Sequence, residues 1–176
     1  TALVPLMPDQ DAAIEEFTAL VHAMPDRIET ERQRRFAAKI GIVNPDADDA
    51  ALVDDLLARM AEGRADFTNT FRALVEGDAR DQFLDPSSFD AWEERWRARI
   101  AREAEPEAVM RAANPAVIPR NHRVEQMIEA AVAGDYAPFE RLLDVLARPY
   151  DDRPEAADLR RPPAASETVH ATFCGT

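Results

Sequence analysis

Apolar residues recur every three or four positions through almost the whole chain, and a glycine or proline closes most runs. That spacing lines one face of an α-helix, because 3.6 residues make a turn. No alternating stretch is long enough to read as a strand, and no internal repeat is visible. The pattern therefore predicts an all-α, irregular multi-helix chain. Residues 9–23 carry Ile14, Phe17, Leu20 and Val21 at helical spacing. Pro25 breaks or restarts this helix, since proline has no N–H for the interior bond. A second run covers residues 26–39 and stops at Gly41, read as a left-handed cap. Asn44-Pro45-Asp46 reads as a turn. The next helix starts near Asp48, aligns Val53, Leu56, Leu57 and Met60, and ends at Gly63.

Asp66 caps a short helix bearing Phe67, Phe71, Leu74 and Val75, which Gly77 closes. Residues 78–86 connect it to a helix that Ser87 or Ser88 caps, with Phe89, Trp92, Trp96 and Ile100 as its buried face. Pro106 suits the first turn of another helix, ending near Asn114. Residues 114–119 cannot be regular helix, because Pro115 and Pro119 bias the residues before them toward extended backbone. Residues 120–134 form a helix with Val124, Met127, Ile128, Ala131 and Val132 on one face. Asp135 opens the last, which carries Phe139, Leu142, Leu143 and Leu146. The chain thus divides into a helical part, 1–148, and a Pro-rich extended tail, 149–176. That tail is poor in apolar residues and orders only by docking.

The formal net charge is -13. Such a surface repels phosphates and anionic lipids, so neither nucleic acid nor a membrane is expected as partner. No apolar run reaches the ~18 residues of a membrane span. The start, Thr1-Ala2-Leu3-Val4-Pro5, has neither an initiator Met nor a signal-peptide layout, and reads as the interior of a longer protein or as a processed start. A lone cysteine leaves no intrachain disulfide, which fits a reducing, cytoplasmic setting.

Sites of catalysis, cofactor or metal are not expected in this chain. Its five glycines are widely spaced and form neither phosphate-cradling fingerprint. His22, His122 and His170 lie on separate segments, without zinc-ligand spacing. For His122 a capping or packing role is expected. The acidic pairs Asp48-Asp49 and Asp54-Asp55 lack the alternation and turn glycine of a calcium loop. They read as helix-start charges and solvated faces. Trp92 and Trp96 have core spacing, and the arginines around them alternate with acids as ion-paired surface does. Cys174 is the one candidate functional residue. It stands third from the end of the tail, where a thiol is reachable for exchange. Redox function and an incidental residue both remain open on position alone.

The stretch Asn114-Pro115-Ala116-Val117-Ile118-Pro119-Arg120-Asn121-His122, followed by Val124-Glu125, Gly134-Asp135 and Pro149-Tyr150, resembles the C-terminal signature of the selenoprotein O family. The end, Thr172-Phe173-Cys174-Gly175-Thr176, is similar to the terminus of its bacterial members. Phe36-Ala37-Ala38-Lys39-Ile40-Gly41 and Asp66-Phe67-Thr68-Asn69-Thr70-Phe71-Arg72 fit the same family more loosely. The resemblance covers most of this chain but only about the last third of a family member. It implies a kinase-like protein that transfers AMP from ATP, with Mg or Mn, to hydroxyl groups of protein substrates. The nucleotide, metal and catalytic residues would lie upstream, so this chain would be a helical segment packed on the kinase-like domain. The resemblance also implies a redox-active Cys174, paired with a cysteine outside this chain. The rival reading is a free-standing acidic helical interaction module without enzymatic activity.

Overall fold

A computed structural model describes residues 2–169. Eight α-helices and four 3-10 turns follow one another among the described residues, with no strand. They are α1 (Gln10–Lys39), α2 (Ala47–Glu62), α3 (Phe67–Glu76), α4 (Ser87–Ile100), α5 (Pro106–Ala113), α6 (Asn121–Val132), α7 (Ala137–Leu146) and α8 (Ala157–Arg160). The all-α expectation holds.

Each start and stop has a local cause. Asp9, Asp46 and Asp66 cap α1, α2 and α3, each accepting backbone N–H groups that no preceding turn can satisfy. At α2, Asp49 returns the bond to Asp46 and completes a capping box. Gly41 follows α1 with φ +88, the left-handed geometry expected of it. A Cβ there would also stand 3.0 Å from the Cβ of Pro106, so α5 can pack directly against this turn. Gly63 ends α2 for a different reason. Its φ is -78, and a Cβ would lie 2.8 Å from the Phe83 ring.

Two helix boundaries differ from expectation. Pro25 lies inside α1, which runs unbroken for 30 residues, about 45 Å at 1.5 Å per residue. Proline removes one hydrogen bond, to the carbonyl of Val21. Both residues are exposed, so that carbonyl can turn toward water and the helix continues. Neither Ser87 nor Ser88 caps α4. Pro86 occupies the cap position, and Asp85 accepts from the backbone N–H and hydroxyl of Ser87.

The main core is made by the C-terminal end of α1 with α2, α3, α4 and α5. Phe89, Trp92 and Trp96 of α4 are buried at its centre as expected, with Ile100 half-buried beside them. The two indoles stack at 5.4 Å, and each donates from Nε1 to a carbonyl at 2.8 Å, Trp92 to Leu52 and Trp96 to Ile40. Each indole therefore packs as a ring and pins a neighbouring backbone. A second cluster joins Ala116 and Val117 to Leu142 and Val145 of α7, with Ala156 and Leu159 from beyond Pro149. The tail thus docks through short turns, Pro154–Ala156, α8 and Ala165–Glu167, linked by extended residues. Ile128, Phe139 and Leu143 stay exposed, as do Ile14, Leu20 and Val21 of α1. Those apolar side chains are left about half uncovered by the described residues.

Candidate functional site

Three of the segments that carry the family resemblance, residues 36–41, 66–72 and 114–122, meet at one polar junction. Lys39, at the end of α1, donates from Nζ to the carbonyl of Ala113 at 3.1 Å and to Oδ1 of Asn114 at 3.2 Å. Asn114 donates back from Nδ2 to the Lys39 carbonyl at 2.8 Å. From α3, Arg72 donates to the Asn114 carbonyl at 3.0 Å and pairs with Asp152 and Glu76. Farther along, Arg120 grips both oxygens of Asp66 at 2.8 Å and reaches Oδ1 of Asn69 at 3.1 Å. Asn69 in turn donates to the carbonyl of Arg160, and Arg160 pairs with Glu76.

Burial gives this junction its electrostatics. Arg72 and Asn114 are buried, and Arg120 nearly so. An arginine taken out of water needs its donors filled, and the acceptors from α3, the proline segment and the tail fill those of Arg72. Burial also lowers the Lys39 pKa, while its ammonium stands 5.4 Å from the centre of the Phe71 ring and 5.9 Å from that of Phe67. At Asp66 burial pushes the carboxyl up, but the Arg120 guanidinium and the Asn69 N–H outweigh it and leave the pKa below its ordinary value. Most donors face an acceptor already within the fold, although Nε of Arg120 and the Thr70 hydroxyl are buried without a partner among the described residues. The junction can hold segments in register, and it presents no nucleophile with a neighbouring base.

Sequence reading missed Arg72, Asn114 and the Asp66–Arg120 pair as structural partners. The only local signal was an arginine between Phe71 and Ala73 on a short apolar helix. The expected ion pairing around α4 is present: Arg97 with Glu93, Arg95 with Asp55, and Arg99 with Asp49 and Glu103. Asp49 is the helix-start charge expected in the first turn of α2, but it is buried beneath Arg99 rather than solvated. Cys174 and His170 lie outside the described residues. His22 is exposed on α1, far in sequence from His122 in the first turn of α6. Among the described residues no three His, Cys, Asp or Glu side chains gather as a metal site would require. No described helix is long and apolar enough to cross a membrane.

His122 is packed rather than capping. Its side chain is 3% exposed, and Nε2 has no hydrogen-bond partner among the described residues. Burial and then the Arg123 guanidinium lower its pKa, against a smaller opposing pull from Glu167. The unfolded chain, with an imidazole pKa near 6.5, therefore takes up this proton first. Stability falls as the pH drops through about 6.5 and levels off below the folded pKa. Urea midpoints measured from pH 7.5 to 5.5 should show this slope, and His122→Gln should flatten it. An unchanged slope in the variant would assign the proton uptake elsewhere.

Comparison with known proteins places these segments in context. No protein-family model matches the chain. A protein nucleotidyltransferase YdiU of Ruegeria pomeroyi is 62% identical over 176 residues, and one of another Ruegeria species is 59% identical over the same length. A third, from a Jannaschia species, is 51% identical over 183 aligned positions. Along its whole length the chain matches a segment of the YdiU protein nucleotidyltransferases. The selenoprotein O resemblance pointed to this same family. Each Ruegeria alignment covers 100% of this chain and 37% of the relative. Most of the length of a YdiU protein therefore lies outside the residues described above.

Proposed function

We propose that this chain is the C-terminal helical part of a protein adenylyltransferase, and that it packs on the kinase-like core of the same protein. The identity of 59 to 62% across the full chain to YdiU nucleotidyltransferases carries this reading. In the reaction, a hydroxyl oxygen of the substrate protein attacks the α-phosphorus of ATP. Pyrophosphate leaves, and the hydroxyl proton passes to a base. On this reading ATP and the Mg or Mn ion are bound by the remainder of the protein.

On this reading the acidic helical segment is a scaffold, and Cys174 is its redox element. Two thiols joining as a disulfide release two protons and pass two electrons to an oxidant such as a small-molecule disulfide. The partner thiol is outside this chain, since Cys174 is its only cysteine. One set of measurements on the full-length protein tests the proposal. With labelled ATP and Mg or Mn it should transfer AMP to protein, whereas residues 1–176 alone should transfer none. After treatment with oxidised glutathione, non-reducing peptide mapping should place Cys174 in an intramolecular disulfide. AMP transfer by residues 1–176 alone, or none by the full-length protein, defeats the assignment of activity. A free Cys174 thiol after oxidation defeats the redox role.

A further inference from the structure

Helix α1 carries two apolar faces, and the fold uses only one of them. Near its C-terminal end, Phe36, Ala37 and, just beyond, Ile40 turn into the main core. Along its first two thirds, with Leu20 on its flank, one line of apolar positions is Ile14, Phe17, Val21, Met24 and Ile28. Their spacing is three, four, three, four, so at 100° per residue they fall within about 80° of arc. That stripe points well away from the side that Phe36, Ala37 and Ile40 present, roughly 120° round the helix. Ile14, Val21, Met24 and Ile28 are 51, 60, 51 and 61% exposed. The turn Val4–Leu6 lies against the start of α1 and leaves the rest of the stripe open. Asp11, Glu15 and Asp26 take the opposite face. A solvated helix would not concentrate five large apolar residues on one seam over four turns. A helix packed by this seam would.

We infer that the Ile14–Phe17–Val21–Met24–Ile28 seam is the surface through which this segment packs on the remainder of its own full-length protein. The inference rests on the reading above that the chain is part of a longer protein, and it names the contact surface. The occupant follows from two observations. The relatives align over the whole of this chain and extend far beyond it, so a covalently attached partner is always at hand. Such attachment supplies an effective concentration in the millimolar range, enough for a seam of modest area. A second copy is the poorer fit, because two chains of charge -13 repel when brought side by side. The partner surface is apolar, a groove or a helix pair able to take knobs spaced at three and four.

The test uses the full-length protein. Val21→Cys and Met24→Cys report the seam, while Glu15→Cys and Ala19→Cys report the opposite side of α1. Maleimide labelling is read peptide by peptide in the mass spectrometer. Seam cysteines should react at least tenfold more slowly than those opposite. Hydrogen exchange of the unsubstituted protein adds a readout without a variant, and amides of residues 14–28 should exchange more slowly in the full-length monomer than in residues 1–176 alone. Equal labelling rates and equal exchange overturn the inference. Protection that disappears on dilution together with a dimer, followed by light scattering, assigns the seam to a second copy and also overturns it. A protected seam in a protein that transfers no AMP leaves the surface standing and removes only the proposed activity.

Discussion

Trp96→Ala should destabilise the fold by about 3–5 kcal/mol, the usual cost of emptying an indole site in a packed core. The ring is buried, stacks on Trp92 and is the donor that satisfies the carbonyl of Ile40. Loss of both packing and hydrogen bond should lower the melting temperature by roughly 10 °C in a chain of this size. Trp96→Phe separates the two contributions. It keeps most of the ring but leaves Ile40 unanswered, and should cost about 1–3 kcal/mol. Arg97→Ala is the control. That arginine is exposed and pairs with Glu93 one turn away, so its loss should cost less than about 1 kcal/mol. Thermal and urea unfolding followed by circular dichroism would check the series. Equal small effects for Trp96 and Arg97 would show that the α4 face is not the centre of the core.

Arg72→Ala should be comparably damaging, at about 3–5 kcal/mol. The side chain is 1% exposed, and it joins α3 to Asn114 and to Asp152. Its removal opens a cavity and strips a donor from the Asn114 carbonyl. Arg72→Lys should recover little, because a single ammonium cannot reach acceptors spread over α3, the proline segment and the tail. Urea midpoints of the two variants decide the matter. Full recovery by lysine would mean that charge alone holds the junction, without the fork of the guanidinium.

Short-range signals were legible in the sequence and long-range ones were not. The helical period, the aspartate caps, Gly41 and the aromatic face of α4 each depend on residues within a few positions of one another. The continuity of α1 through Pro25 depends on exposure, which a residue string does not carry. The polar junction was invisible for a related reason. Arg72 finds Asn114 and Asp152 at separations of 42 and 80 residues, and nothing near Arg72 marks it as buried. The one candidate singled out for chemistry, Cys174, lies beyond the described residues, so the structure leaves that reading where the sequence put it. Ile14, Phe17 and Val21 were legible at helical spacing, but their continuation through Met24 and Ile28 was not, because Pro25 reads as a break.

The separation between Arg72 and Asp152 also sets a schedule for the growing chain. A ribosome adding about 5–20 residues per second needs on the order of 4–16 s to make the 80 residues between them. For that interval α3 carries a guanidinium with no long-range carboxylate to receive it, and the surface meant for Ala156 and Leu159 is uncovered. The last turns of the tail therefore act as a latch that closes late. A nascent chain released or cleaved before residue 152 would hold every large helix and still present an unsealed edge, a form that quality-control proteases and chaperones recognise.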